Sequence, residues 1–290
     1  MAFQSGPSAS FALSRFIVKP YASQKPPMTH RTARPVKTYR PIENRSEDLM
    51  AKIRPPQKRF RPSHVALALS LALPAVSGMP LEPLAKRIAH TDPSKYSREH
   101  AHLGAGQIVY EELFNASSFE TNLLFLQRGV LPPKSGIGHH YHNQTEEMFV
   151  ILDNEAQFTI DGRTSSLTGP AGAPCLMGHS HGIYNPTERP TQWMDIAVSS
   201  VKAKYDNFDL DDDRTDAALD AKPVFIHFRL DRTLLNPVPH LYGGKDSVLY
   251  RRILGPEVFS TNWAYVDHLV IPSGSSMGTH QHEGVEELFS

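Results

Sequence analysis

The sequence has little of several features that would point to particular classes of protein. It has one cysteine, Cys175, so no disulfide can form within the chain, and cysteine usage does not indicate a redox compartment. Its longest apolar run, Val65–Leu73, is too short for a membrane-spanning helix. Its formal net charge is +0, so the whole chain has no basic excess of the kind that indicates nucleic-acid binding. We therefore predict neither a disulfide-stabilised scaffold nor a transmembrane span.

The length and composition are those of an ordinary globular protein. The 290 residues are 40% hydrophobic and 21% charged, and this length allows roughly two domains. The first 62 residues contain 13 Lys and Arg against 3 Asp and Glu, together with nine of the 24 prolines. We interpret residues 1–78 as a basic, Pro-rich tail, because such a composition buries too little apolar surface to offset chain entropy. The tail has no interleaving of aromatic and basic residues, so a nucleic-acid partner is not favoured.

One part of this tail resembles a secretory signal. The basic Lys58–Arg61 precedes the apolar Val65–Leu73, and the small residues Ala75–Ser77 follow. A signal peptide stands at the start of a chain, so the interpretation depends on where translation begins. Export is expected if Met50 is the first residue, and a cytoplasmic location is expected if Met79 is.

Short strand patterns separated by turn signals begin near residue 105. Met148–Leu152 is a continuous apolar run, whereas Ala156–Ile160 alternates and ends at Asp161-Gly162, a strong hairpin signal. Short strands at regular spacing indicate an all-β sandwich or barrel. The predicted organisation is a tail at 1–78, a first strand-rich domain at 79–206, an acidic linker at 207–222 and a second strand-rich domain at 223–290.

Two segments of the chain have closely similar sequences. Leu131–Phe149 aligns without a gap to Ile271–Phe289, so that the His-x-His pair and the Glu pair of one segment recur in the other. An internal repeat of this kind predicts two copies of one structural unit. The matching residues are Pro132 and Pro272, Gly138 and Gly278, His140 and His280, His142 and His282, Glu146 and Glu286, and Glu147 and Glu287.

The repeated residues are of types that bind metal ions. In an extended strand His140 and His142 project to one face, so both imidazoles can reach a single metal, and His139 points the other way. A carboxylate from the next strand would add a third ligand. Glu146 and Glu147 compete for that position, because neighbouring residues of a strand point to opposite faces. A fourth ligand could come from another hairpin through His181.

The spacing of these residues resembles that of the cupin superfamily. The first cupin motif is Gly, five residues, His-x-His, three or four residues, Glu, six residues and Gly, and His140-Tyr-His142 with the following Glu pair fits it. Asn154 stands in register with the closing Gly, which favours Glu147 over Glu146 as the ligand. The end of the second motif is matched by Gly178, His181 and Asn185, although Leu176 replaces its Pro.

The resemblance implies a fold and a metal site. The fold is a double-stranded antiparallel β-barrel of the jelly-roll type, and two motifs in one chain resemble a bicupin with one complete barrel and a partial second one. The implied ligands are His140, His142, Glu147 and His181, and the implied cofactor is one divalent transition metal, Fe, Mn, Ni, Cu, Co or Zn. The second set, His280, His282 and Glu287, has no fourth ligand in the sequence, so we expect it to be non-functional.

The resemblance also implies a class of activity. A metal-dependent dioxygenase, decarboxylase or isomerase acting on a small oxygen-rich organic molecule is expected, and a homo-oligomer is compatible with it. A non-catalytic module that binds a small ligand or a metal is the alternative, because the fold alone does not decide function. No second carboxylate is evident near the predicted pocket, so the reaction type stays open at this stage.

Overall fold

A computed structural model of the chain describes residues 11–18 and 87–290. The paired strands are antiparallel, and the described residues contain short 3-10 helices but no α-helix. The predicted all-β fold class is therefore confirmed. Among the described residues, no helix combines the length and apolarity that crossing a membrane requires. The signal-like run and both candidate start residues, Met50 and Met79, lie outside the described residues.

The described strands, in chain order, are β1 (Phe11–Val18), β2 (Ser97–Glu99), β3 (Ile108–Asn115), β4 (Leu123–Leu131), β5 (Gly136–Tyr141), β6 (Thr145–Ile151), β7 (Glu155–Ile160), β8 (Arg163–Thr168), β9 (Ala171–Cys175), β10 (Ser180–Tyr184), β11 (Thr191–Ser199), β12 (Phe208–Asp212), β13 (Phe228–Arg229), β14 (Asn236–Pro239), β15 (Ser247–Leu254), β16 (Trp263–Ile271) and β17 (Glu286–Phe289). The 3-10 helices are Pro93–Lys95, Ala101–Leu103, Ala116–Ser118, Arg232–Leu234 and Leu241–Gly243.

These strands form three sheets. One sheet has the order β13-β9-β6-β11-β4-β3-β2, and a second has the order β12-β5-β10-β7-β8. The third, β14-β15-β16-β1-β17, contains the strands of the second repeat. The predicted hairpin is present between β7 and β8, where Asp161 and Gly162 both have positive φ, as the tight turn requires.

Strand β6 separates two hydrophobic cores because its residues alternate between faces. Phe149 and Ile151 pack in the core between the two sheets of the first repeat. Met148 and Val150 pack in the other core, which includes residues of the second repeat such as Trp263. This alternation decides the direction of the Glu pair at the start of the strand. Glu147 shares a face with Phe149, and Glu146 shares a face with Met148.

Part of the segment predicted to be a tail forms a strand. Strand β1 lies between β16 and β17 and pairs antiparallel with both. In the first repeat, β11 lies between β4 and β6 in the same way. The two arrangements share one register, and even the bulge near the strand end recurs. An isolated run of eight residues does not reveal such a role, because its partners lie at the opposite end of the chain.

Part of the segment predicted to be an acidic linker also forms a strand. Strand β12 pairs with β5, and Asp209 lies opposite His140 in the register. The residues just before β12 contact the predicted metal ligands. The composition of this segment is typical of a solvated connection, so the pairing was not evident from the sequence.

Candidate metal centre

Three strands bring the four predicted ligands together. His140 lies on β5 and His142 follows at its end, while His181 on β10 stands opposite His140 in the register. Glu147 lies on β6, in the other sheet of the first repeat. All four side chains are buried. The cluster therefore lies between the two sheets, where strand alternation points each side chain inward.

The four side chains present their ligand atoms to one point. His181 Nε2 lies 3.0 Å from His140 Nε2 and 3.1 Å from His142 Nε2. Glu147 Oε2 lies 3.4 Å from His142 Nε2. One ligand atom from each residue lies within 4.8 Å of every other. Ligands bound at about 2.0–2.2 Å from one metal are separated by roughly 3 Å, so the cluster suits a metal ion.

The surroundings keep the imidazoles in the form that binds metal. Burial, followed by the proximity of other imidazoles, holds the pKa of His140 and His181 well below the usual value. His140 Nδ1 donates to the carbonyl of Gly138 at 2.8 Å, and His142 Nδ1 donates to the carbonyl of Asp206 at 2.5 Å. A carbonyl can only accept, so Nδ1 carries the hydrogen in both rings and Nε2 is the nitrogen that faces the cluster.

His139 and Glu146 lie outside the cluster. His139 occupies the opposite face of β5, where its Nε2 lies 2.9 Å from Ser180 Oγ. The Glu146 carboxylate accepts from the backbone N–H groups of Ser260 and Thr261, at 2.7 and 3.1 Å. Both residues point away from the ligand atoms, as the strand pattern predicts for one of the two glutamates.

The residues that precede β12 contact the cluster from outside. Tyr205 donates its hydroxyl hydrogen to Glu147 Oε2 at 3.0 Å. The Asp206 carboxylate accepts from the backbone N–H groups of Asn143 and Gln144 and from the hydroxyl of Thr145. These bonds fix the segment over the ends of β5 and β6. Sequence reasoning missed them, because nothing in an acidic connection marks one residue as a partner of a distant ligand.

A second contact from β12 reaches the cluster through His102. The His102 ring stacks on the His140 ring with centroids 3.7 Å apart and an angle of 10° between the planes. Asp209 Oδ1 lies 2.6 Å from His102 Nδ1 and orients that ring. In the second repeat, Tyr242 stacks on His280 in the same way, at 3.9 Å. A residue at this position therefore supports the first His of each motif.

A cavity of about 330 Å³ adjoins Glu147. It reaches Asp195 on β11, a buried carboxylate that sequence reasoning also missed. Burial, followed by the charge of Glu147, raises the pKa of Asp195 well above its usual value. Asp195 Oδ1 is buried without a hydrogen-bond partner among the described residues. The expectation that no second carboxylate marks the pocket was wrong, although a lone Asp within the apolar Trp193–Ser199 was the available signal.

The second repeat forms a related but more exposed cluster. His280 Nε2 lies 3.1 Å from His282 Nε2, which lies 2.8 Å from Glu287 Oε2. All three residues are half-buried, in contrast to the buried first cluster. Among the described residues, no fourth His, Cys, Asp or Glu completes this group. The expectation that this second set is non-functional stays a prediction.

Comparison with known proteins identifies similar structures. No protein-family model matches the chain, and no curated protein sequence matches it. A structure described as a predicted oxalate decarboxylase from Thermotoga maritima is 21% identical over 38% of this chain and 98% of its own, with a TM-score of 0.35. A Cupin 2 conserved barrel domain protein from Salinispora arenicola is 14% identical over 43% of this chain and 92% of its own, with a TM-score of 0.29.

A third similar structure is a sugar phosphate isomerase from a cupin superfamily, from Silicibacter pomeroyi. It is 15% identical over 38% of this chain and 74% of its own, with a TM-score of 0.30. Two of these three similar structures are described as cupins.

Proposed function

We propose that the chain binds one divalent transition metal and is a metal-dependent enzyme that acts on a small oxygen-bearing molecule. The ligands are His140, His142, Glu147 and His181. The observation that carries this proposal is the convergence of four buried ligand atoms beside a cavity that also reaches Asp195. Three imidazoles and one carboxylate suit the mid-series divalent ions Mn, Fe, Co, Ni, Cu and Zn.

The bound metal would supply Lewis-acid activation and open positions for substrate oxygen atoms. The chain's own residues would supply a proton, hold the ligand Glu147 in place and exclude water. Asp195 is buried beside Glu147, and this burial, followed by the neighbouring charge, raises the pKa of Asp195 well above its usual value and so favours the protonated form. Tyr205 keeps Glu147 in place through its hydroxyl group. Apolar residues on the cavity wall, Ile108, Phe125 and Ile137, would exclude water from the apolar part of a substrate.

The cavity and the second carboxylate beside the ligands favour catalysis over simple metal storage. A storage site has no need of an adjoining cavity, and it has no need of a second carboxylate there. The cavity and Asp195 both lie beside Glu147. Dioxygenation, decarboxylation and isomerisation are the reaction types to be tested, because each can use a metal with open positions and a nearby proton donor.

Elemental analysis of the purified protein tests the metal proposal. We expect one equivalent of metal in the full chain and almost none after His140→Ala with His142→Ala. His139→Ala is the matched control, because His139 is also buried on β5 but faces away from the ligand atoms. Unchanged metal content in the double variant would overturn the assignment, provided circular dichroism shows that both variants are folded.

Activity screening then tests the proposal of catalysis. Oxygen uptake, carbon dioxide release and isomer formation would be measured with a panel of diols, hydroxyketones, sugars and small acids. We expect turnover with at least one class, and its loss in Asp195→Asn with the metal retained. Stoichiometric metal without turnover in any assay would favour the alternative of a non-catalytic binding module.

A further inference from the structure

The ionisable groups that line the cavity beside the cluster include exposed carboxylates, and its one imidazole, that of His102, is paired with Asp209. Glu147 and Asp195 also line this cavity, but Glu147 is a proposed metal ligand and Asp195 is buried beside it, so the free negative charge of the lining comes from Glu99 and Glu112. Among the described residues that line it, there is no Lys or Arg. Glu147 and Asp195 stand at the inner end and are buried, whereas Glu99 and Glu112 are exposed and stand at the mouth. An entering molecule therefore passes two carboxylates before it reaches the cluster.

The arginines close to the lining residues do not line the cavity. Arg98 precedes Glu99 on β2, so its side chain points to the opposite face of that strand. Arg128 follows the lining residue Gln127 on β4, but its guanidinium donates to the carbonyl of Trp193 at 2.9 Å. Arg214 donates to the hydroxyl groups of Thr159 and Thr164 and pairs with Asp212. Proteins that recognise carboxylate or phosphate groups generally place Arg or Lys against them. The described residues that line this cavity offer no Arg or Lys to a negative group that is not itself bound to the metal.

The remaining lining suits uncharged groups. Gln127 and Asn207 offer amide groups that both donate and accept hydrogen bonds, which matches hydroxyl and carbonyl oxygens. Phe125, Ile108 and Ile137 supply an apolar wall. The Tyr110 hydroxyl group donates to Glu99 at 2.5 Å, which holds that carboxylate at the mouth.

We propose that the cavity takes an uncharged molecule with adjacent oxygen atoms and an apolar part, such as a diol or hydroxyketone, and disfavours molecules with a further carboxylate or phosphate. This inference rests on the proposed metal-dependent function. The discrimination comes from repulsion by Glu99 and Glu112 and from the absence of Lys and Arg among the described lining residues. Partly exposed carboxylates of this kind would each change the affinity for a charged ligand by roughly two- to five-fold.

Binding of two matched probes tests the inference. The probes are 3,4-dihydroxybenzamide and 3,4-dihydroxybenzoate, which share one metal-binding diol and differ only in a remote charge. Titration calorimetry would use the metal-loaded full chain at neutral pH. We expect the amide to bind about ten-fold more tightly than the benzoate, from two such repulsions combined. In Glu99→Gln with Glu112→Gln we expect this ratio to fall below about two-fold.

Glu111→Gln is the matched control, because Glu111 neighbours Glu112 on β3 but its carboxylate accepts from the backbone N–H of Asp92. Its probe ratio should equal that of the unmodified chain. Benzoate binding as tight as the amide, or an unchanged ratio in the double variant, would overturn the inference. So would a failure of both probes to bind metal-loaded protein. Metal content measured on the same samples separates these outcomes, because protein without metal overturns the proposed function itself.

Discussion

Glu146 and Glu286 occupy equivalent places in the two repeats, and each accepts hydrogen bonds from the backbone of the other repeat. Glu146 Oε1 accepts from Ser260 N–H at 2.7 Å, and Glu286 Oε1 accepts from Glu120 N–H at 2.8 Å. Each carboxylate also accepts from the Thr that follows, Thr261 or Thr121. The Glu pair of each motif therefore divides its roles: the first member joins the two repeats, and the second faces a cluster of ligand atoms.

This division predicts opposite effects for two neighbouring substitutions. Glu146→Ala leaves backbone donors near Ser260 without an acceptor, so we expect the free energy of unfolding to fall by about 1–3 kcal/mol while metal content is kept. Glu147→Gln should lose most of the metal with a smaller change in stability of the metal-free protein. Chemical denaturation and elemental analysis would measure both. Loss of metal from the Glu146 variant alone would contradict the division of roles.

The members of the first cluster could be predicted from the sequence, in part from strand alternation and in part from the resemblance to the cupin motifs. His140 and His142 share a face in any extended backbone, and the motif register selected Glu147. Asp195 and Tyr205 could not be assigned in this way. Their roles depend on how β11 and the segment before β12 pack against β6, which local patterns do not encode.

The same limit applies to strand β1. Its pairing joins residues near the two ends of the described chain, and the repeat indicated only that β16 and β17 resemble β4 and β6. The structure adds that a further segment, β1, lies between β16 and β17. Its register there matches that of β11 between β4 and β6. Long-range strand pairing is decided by competition among segments, and the sequence pattern of one segment does not reveal its outcome.

The lowered pKa values of His140 and His181 predict a pH dependence of stability for the metal-free protein. These groups bind a proton less readily in the folded than in the unfolded state, where their pKa is about 6.5. The unfolded state therefore takes up more protons as pH falls below that value, and stability should decrease from about pH 7 towards pH 5. Denaturation midpoints of chelator-treated protein would show this slope. His181→Gln should reduce the slope, and an equal slope in this variant would contradict the assignment.

The hydroxyl group of Tyr205 provides a test of the support around Glu147. Tyr205→Phe removes the bond to Glu147 Oε2 and leaves the ring, which packs near Phe125 and His142. Loss of such an outer contact costs about 10- to 100-fold in metal affinity in other metal sites, and we expect an effect in that range. Competition with a chelator of known affinity would measure it. Tyr141→Phe is the matched control, because Tyr141 lies between the two ligands His140 and His142 and contacts Phe208 instead. Equal affinities in the two variants would show that the Tyr205 hydroxyl does not support the cluster.

Strand β1 predicts that the N-terminal region matters for the second repeat and not for the first cluster. Among the described strands, β17 pairs only with β1, and Glu287 lies opposite Ile17. A chain that lacks residues 1–78 should keep the metal of the first cluster, because His140, His142, Glu147 and His181 make no pairing with β1. It should lose protection from hydrogen exchange in β16 and β17, whose backbone groups lose their partner. Ile17→Pro in the full chain should reproduce that loss, because proline removes a ladder donor and is excluded from the interior of a sheet. Unchanged protection of β16 and β17 in both proteins would show that β1 does not hold the second repeat together.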